Sequence, residues 1–288
     1  MKPNILRTYL LAIALIWLPL AQSAQTTESD WRALNAEAES LYEAKKYKLA
    51  LPIAQAALVA AEKANGQESL DTAMCLATLA DIYYSQEKYT KAEPLYLRSL
   101  AIQEKSQANS NPGLADILDN LGEIFLAKGR YAKALDYLQR ALSIREKTLP
   151  PDDPIIAESL HTMALTYSAM GDYAQKRERY AEAESLFLRA LAIREKTTDP
   201  GNWELANTLS QFAYHYYKQG KYAEAVPLFQ RTLDILNQTM SANSASVMWV
   251  KRMLADSYNS GQYKGALLPI QVGNERFTTP IISREIPY

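Results

Sequence analysis

A short pattern of tyrosine, two other residues and alanine returns along this chain at nearly regular intervals. The differences between successive alanine positions are 42, 42, 49, 42 and 41. The six sites are Tyr47/Ala50, Tyr89/Ala92, Tyr131/Ala134, Tyr180/Ala183, Tyr222/Ala225 and Tyr263/Ala266. Self-similarity at such a period is typical of stacked structural repeats, so the sequence predicts about six copies of one unit.

A small residue marks the first half of each unit with the same period. These residues are Ala38, Ala80, Gly122, Ala164, Ala213 and Ala255. A leucine, tyrosine or phenylalanine follows three residues after each of them. Alanine or glycine allows two helices to approach closely, and the larger residue one turn later fills the space beside the contact.

Each unit has the spacing of two helices joined by a tight turn. Leu76, Leu79, Ala80 and Tyr83 lie at i, i+3, i+4 and i+7, on one helical face. Glycine is frequent in the turns, as in KGRY and QGKY, whereas the longer joins such as LPPDDP contain helix breakers. We therefore predict an all-α fold, an α-solenoid of about six antiparallel helix pairs over residues 30–271.

The repeats resemble the tetratricopeptide repeat family, in the 42-residue form found in kinesin light chains. The phrases KAEPLYLRSLAIQEK and YAEAESLFLRALAIREK are similar to the second helix of that form. The third unit matches the family pattern at Leu118, Leu121, Gly122, Phe125, Ala134, Leu138 and Ala141. The resemblance implies a right-handed superhelix that acts as a protein–protein interaction scaffold and binds a peptide or partner protein in its concave groove.

Two features of that family's ligand sites are missing. Kinesin-light-chain repeats often carry paired asparagines in the first helix, but here Asn120 stands beside Asp119. The lysine-rich carboxylate clamp of chaperone-binding relatives is also absent. The resemblance therefore does not transfer a known ligand class to this chain.

One-turn spacing from the small-residue marker predicts which first-helix side chains line the groove. The amino-terminal half of this set is acidic and rich in tyrosine, which combines apolar area with a hydroxyl group. We expect such a groove to prefer a segment with basic and apolar residues; the alternative is that these are ordinary exposed residues. The candidate groove residues are Tyr42, Asp81, Tyr84, Asn120, Glu123, His161, Tyr214 and Tyr217.

The stretch GDYAQKRERYAEAE, residues 171–184, contains the repeat phrase twice. The first copy keeps step with the upstream units and the second with the downstream units, which indicates a seven-residue insertion at about 173–179. Seven residues make about two helical turns and leave the apolar face only ~20° out of phase. Because Gly171 occupies the usual turn position, we assign the extension to the second helix. The extra turns are either a tolerated duplication or a projecting docking site.

The segment 1–24 has the layout of a secretory signal peptide. Lys2 and Arg7 precede a short apolar run that ends at Leu20, and Ala21-Gln22-Ser23 fits the cleavage rule, so we place cleavage after Ser23 or Ala24. An uncleaved anchor is the alternative, but about 20 apolar residues are needed to span a bilayer, and this run is shorter. We expect an exported protein, periplasmic or extracellular if the host is bacterial. Residues 272–288 match no repeat, and could cap the last helix pair, fold into the groove or stay loose.

The sequence shows no sign of catalytic, metal or cofactor chemistry. His161 and His215 stand in different units without nearby ligands, and Cys75, the one cysteine, has the pattern of a buried helix face. Nucleotide-binding and hydrolase motifs are missing. After removal of residues 1–24 the charge is 29 − 32 = −3, which argues against a nucleic-acid partner.

These observations favour a non-enzymatic, exported interaction scaffold or adaptor that binds a protein or peptide and needs no cofactor. The alternative is an architectural, oligomeric subunit of an envelope assembly, in which stacking between copies matters and the groove is idle. An enzyme is the third and least supported hypothesis.

Overall fold

The computed structural model describes residues 30–106, 112–174, 177–199, 201–241 and 243–260. The regular structure in these ranges is entirely helical, which confirms the predicted all-α fold. The eleven described helices are α1 (Trp31–Glu43), α2 (Tyr47–Asn65), α3 (Leu70–Tyr84), α4 (Tyr89–Lys105), α5 (Pro112–Ala127), α6 (Tyr131–Thr148), α7 (Pro154–Ala174), α8 (Arg177–Thr197), α9 (Trp203–Lys218), α10 (Tyr222–Thr239) and α11 (Ala245–Ser260).

The helices form two compact units, with the division between Lys128 and Gly129. In unit 1, α1 packs on α2, α2 on α3, α3 on α4 and α4 on α5, and α1 also contacts α3. In unit 2, α6 to α11 follow the same rule, and α9 also contacts α7 and α11. Each unit is therefore a stack in which a helix buries its apolar side mainly against its neighbours in the chain.

Most of the small residues that mark the repeats are buried. The first-helix alanines Ala38, Ala80, Ala164 and Ala213 and the second-helix alanines Ala50, Ala92, Ala134, Ala183 and Ala225 are completely buried. Interior packing leaves little space for an additional methyl group at such positions. Complete burial is the environment expected of positions that permit close approach of paired helices.

The turn inside a pair uses one residue with left-handed backbone conformation. Its φ is +56° at Lys45, +57° at Glu87, +67° at Gly129 and +71° at Gly220. The first three of these residues occupy the same position of successive repeats. In the first turn the amide of Lys46 donates to the carbonyl of Leu41 at 2.8 Å, the bond that closes a Schellman motif.

The structure corrects the prediction that only the second helix of the fourth repeat is extended. Gly171 does not form the turn but lies inside α7, and α7 and α8 have 21 residues each. A Cβ atom on Gly171 would lie 2.7 and 2.8 Å from two ring atoms of Tyr180. The glycine is needed for close contact between two helices rather than for a turn, so the extension is shared by both helices.

Several predictions concern parts of the chain outside the described residues. They are the signal peptide at residues 1–24, the tail at 272–288 and the second helix of the sixth unit around Tyr263 and Ala266. In the ranges that are described, none of the helices combines the length and the apolar character required to cross a bilayer.

Candidate binding surface

The first helices of unit 1 bring most of the predicted acidic groove residues into contact. We call the surface formed by Glu39, Tyr42, Asp81, Tyr84, Asn120 and Glu123 the acidic tyrosine face. The hydroxyl of Tyr84 donates a hydrogen bond to Glu123. The side-chain amide of Asn120 donates a hydrogen bond to the carboxylate of Asp81 at 3.2 Å. Consecutive first helices are therefore joined by polar side chains on this face.

A third contact of the same kind lies nearer the start of unit 1. The hydroxyl of Thr78 donates to Glu39 at 3.2 Å, across the same separation of 39 residues that joins the other two pairs. The side-chain amide of the buried Asn35 also donates a hydrogen bond to Glu39, at 2.7 Å. This separation is one repeat less about one helical turn, so the repeat itself generates these contacts.

Tyrosines pack in pairs across the turn between the two helices of a unit. The ring centroids of Tyr42 and Tyr47 are 5.8 Å apart, and those of Tyr84 and Tyr89 are 5.5 Å apart. The two pairs are themselves one repeat apart. Tilted ring pairs at this distance are favourable, and they restrict the rotamers of Tyr42 and Tyr84.

The carboxyl group of Asp81 has a strongly shifted pKa. Burial raises the pKa of Asp81 to about 6, and the charges of Asp116 and Glu39 add to the effect. Hydrogen bonds from Tyr96 and Asn120 oppose the rise because they stabilise the carboxylate. Burial and the neighbouring Glu123 also raise the pKa of Tyr84, so its hydroxyl stays protonated as a donor.

His161 does not line an open surface, and the prediction that it does is wrong. Its side chain is 6% exposed, its ring centroid lies 5.9 Å from that of Phe187 in α8, and its Nδ1 lies 3.3 Å from the hydroxyl oxygen of Thr208 in α9. Burial, and secondarily the charge of Arg194, lowers the pKa of His161 to about 3. Because α8 and α9 cover this side of α7, the imidazole is a neutral core group.

Tyr214 and Tyr217 belong to a separate aromatic surface in unit 2. Their rings are stacked with centroids 6.0 Å apart, and Trp249 of α11 meets Tyr214 edge-on at 5.7 Å. The ammonium group of Lys218 lies 5.2 Å above the ring of Tyr214. Sequence reasoning missed Trp249 because it coincides with none of the repeat markers.

Sequence reasoning also missed two buried arginines in unit 2. Arg145 donates to the hydroxyl of Ser159 at 2.5 Å, and Arg194 donates to the hydroxyl of Thr208. Each acceptor lies 14 residues after its arginine. The signal was present, because the phrase IREKT occurs at both sites. Each of these arginines connects the second helix of one repeat to the first helix of the next repeat.

The described part of the chain offers little for metal or redox chemistry. It contains no group of three or more histidine, cysteine, aspartate or glutamate side chains placed to hold a metal ion. Cys75 is buried, and burial raises the pKa of its thiol to about 12, with Asp71 and Glu39 adding to the rise. A thiol with such a pKa is unreactive near neutral pH.

Known folds agree with this architecture. A Podosopora anserina kinesin light chain with nearly identical TPR-like repeats is 22% identical, with a TM-score of 0.60 over 75% of this chain and 100% of that one. BtubC from P. vanneervenii is 18% identical, with a TM-score of 0.57 over 90% of this chain and 98% of that one. YrrB, described as a TPR protein with an unusual peptide-binding site, is 18% identical, with a TM-score of 0.51 over 81% and 97%. These identities establish a common fold only.

The comparison with curated proteins found no match. The family model of the tetratricopeptide repeat matches residues 32–105, 113–175, 174–238 and 204–269. These segments contain the stacked helix pairs of both units. The chain therefore belongs to the tetratricopeptide repeat family.

Proposed function

We propose that this chain is a non-enzymatic, exported scaffold that binds a peptide or partner-protein segment on the acidic tyrosine face of unit 1. Tetratricopeptide repeat domains bind protein or peptide partners, and that general role applies to this chain. The observation that carries the proposal is the joining of Tyr84, Glu123, Asp81 and Asn120 on one surface.

The hydrogen bonds of the face favour binding because they hold its side chains before a partner arrives. Immobilising a flexible side chain on association costs about 0.5–1.5 kcal/mol, and side chains that are already fixed avoid part of this cost. Tyr42 and Tyr84 are partly exposed, so their rings remain available for contact. Tyrosine supplies apolar area and a hydroxyl group in one side chain.

The charge of the face selects the kind of segment. Glu39, Asp81 and Glu123 contribute three carboxyl groups, and Asp116 lies close enough to Asp81 to raise its pKa. Lysine and arginine side chains complement such a surface, and complementary charge increases specificity and association rate more than affinity. The expected partner is a segment with basic residues next to apolar ones.

The proposal is tested by the double variant Tyr84→Ala/Glu123→Lys. Partners captured from envelope extract by the wild type are identified, purified and measured for affinity. We expect the variant to bind at least about 30-fold more weakly, because it loses an aromatic contact and reverses a charge, each worth about 1 kcal/mol or more. Equal affinity of the variant and the wild type would show that this face is not the binding site.

A matched control separates the face from the rest of the surface. Glu224→Lys makes the same charge reversal at an exposed position of α10 in unit 2. We expect it to leave affinity unchanged. Light scattering on the same samples addresses the architectural alternative, because an oligomer that resists high salt and binds no partner would favour that function.

A further inference from the structure

Ion pairs show which side of each second helix faces the preceding second helix. In each pair an arginine on the later helix contacts a glutamate on the earlier one. The pairs are Arg98–Glu62 at 2.6 Å, Arg189–Glu146 at 2.7 Å and Arg231–Glu195. The three arginines occupy the same position of the repeat, so this position marks one side of the helix.

The helix α2 is the second helix of the first repeat, and it has an apolar stripe on that side. Its residue at the arginine position is Ala56. Leu49 and Val59 are 59% and 66% exposed, and Pro52 is exposed between them. These four residues lie at i, i+3, i+7 and i+10, which places them along one face of the helix.

The fold does not require this stripe, because later second helices are different at the same repeat positions. The counterparts of Leu49 are Lys91, Lys133, Glu182 and Glu224, and those of Val59 are Ala101, Ser143, Ala192 and Asp234. A helix that is apolar on nearly all sides is normally covered. A row of exposed apolar side chains along one helix thus indicates a contact surface.

Lysines surround the start of the stripe. Lys48 precedes Leu49 in α2, and Lys45 and Lys46 form the turn before the helix; all three are exposed. The one acidic residue of α2, Glu62, forms an ion pair with Arg98. The exposed side of α2 therefore combines apolar groups with positive charge.

We propose that this face of α2 lies on an anionic lipid surface. In such an arrangement Leu49 and Val59 enter the boundary between headgroups and acyl chains, while the lysines contact lipid phosphates. Each lysine near an anionic membrane adds to the attraction. The site shares no residue with the acidic tyrosine face, so the inference extends the proposed function and does not depend on it.

A second copy of the chain fits this face less well. A stable interface buries about 800 Å² per partner, and two large side chains with two smaller ones supply much less. Pairing two such faces would also place the lysines of both copies around one small apolar patch. Like charges brought together in this way oppose association.

Vesicle sedimentation tests the proposal on the purified chain after its N-terminal residue has been determined. Vesicles contain either phosphatidylcholine alone or phosphatidylcholine with about 30% phosphatidylglycerol. We expect the wild type to bind the anionic vesicles and Leu49→Glu/Val59→Glu to bind them at least about tenfold more weakly. The control Ala101→Glu/Ala192→Glu adds the same charge at exposed positions of α4 and α8 and should bind like the wild type.

A second variant separates charge from apolar contact. Lys46→Gln/Lys48→Gln keeps the stripe and should weaken binding to anionic vesicles by about tenfold or more. Absence of wild-type binding, equal binding to neutral vesicles, or equal loss in the α2 variant and its control would each overturn the proposal. A concentration-dependent dimer that Leu49→Glu/Val59→Glu dissociates would instead identify a second copy as the occupant.

Discussion

At the level of single residues, the two turns at Lys45 and Glu87 contain a conformational cost that the turns at Gly129 and Gly220 avoid. Lys45 and Glu87 adopt the left-handed backbone that Gly129 and Gly220 occupy in the same motif. A side chain with a Cβ atom is strained in this region by about 1–2 kcal/mol, whereas glycine is not. The first two repeats therefore retain their turns through hydrogen bonding and packing.

This cost predicts that Glu87→Gly stabilises the protein. Relief of strain exceeds the greater freedom of glycine in the unfolded chain, so we expect a gain of up to about 1 kcal/mol. Urea unfolding measures the change in the free energy of unfolding. The converse control is Gly220→Ala, which should lose about 1 kcal/mol although nothing lies within 4 Å of the added Cβ. A destabilised Glu87→Gly variant would contradict the explanation.

Asp81 predicts a pH dependence of opposite sign to that of an ordinary ion-paired carboxylate. Its folded pKa of about 6 lies above the model-peptide value of 3.8, so the folded state binds the proton more tightly. The resulting stability is fully present below about pH 4 and is lost as the pH rises through 6. We expect the melting temperature of Asp81→Asn minus that of the wild type to become more positive from pH 4 to pH 8, because only the wild type loses this stability.

The appropriate control for this measurement is Asp234→Asn, at an exposed position of α10. It should leave the melting temperature nearly the same relative to wild type at both pH values. A flat difference for Asp81→Asn as well would mean that burial of Asp81 does not govern its titration.

At the level of helices, the close contact between α7 and α8 predicts the effect of Gly171→Ala. Alanine is favoured over glycine in a helix by about 1 kcal/mol, which alone would stabilise α7. The added Cβ would approach the ring of Tyr180 to 2.7 Å, and overpacking of this kind costs about 1–3 kcal/mol. We expect net destabilisation in urea unfolding.

The same contact provides an internal check. Replacing Tyr180 by leucine removes the ring that the new methyl group meets, so Gly171→Ala should be much less damaging in the Tyr180→Leu background. If the effects of Gly171→Ala and Tyr180→Leu on the free energy of unfolding were simply additive, the two residues would not compete for space.

Helix spacing predicted the elements well because helices depend on local sequence. The run from Leu76 to Tyr83 lies in α3 as expected, and most of the repeated alanines that the structure describes are buried. Gly171 failed as a turn signal because glycine serves both turns and close contacts, and a single sequence does not separate the two. The distinction required the position of Tyr180, nine residues later in another helix.

At the level of the whole molecule, export is the property that the N-terminal sequence predicts. If the signal peptide is functional, the protein in the cell envelope or medium should begin at Ala24 or Gln25. Cell fractionation followed by intact-mass measurement checks both the compartment and the first residue. Recovery of a cytosolic protein that still carries residues 1–24 would contradict this prediction.

The acidic tyrosine face was only partly accessible to sequence reasoning. Periodicity placed Tyr84, Glu123 and Asp81 on one face of the first helices, since a helical face follows from spacing alone. Asn120 was a candidate because kinesin-light-chain repeats, which the chain resembles, carry asparagines at that site. The bonds that join them cross 39 residues, and these depend on how one helix settles against the next. Tyr96, a second-helix residue that bonds to Asn120 at 2.9 Å, was not among the candidates for that reason.

The repeat period, the number and order of the described helices and the burial of the small residues are all encoded locally along the chain, because helix formation and close approach depend on short-range spacing. The tertiary structure alone decided that His161 is a core group, that Gly171 lies in a helix and that carboxylates and tyrosines meet between repeats. The physical reason is that burial and polar contact at these residues depend on neighbouring helices, whose positions are set by packing rather than by local sequence.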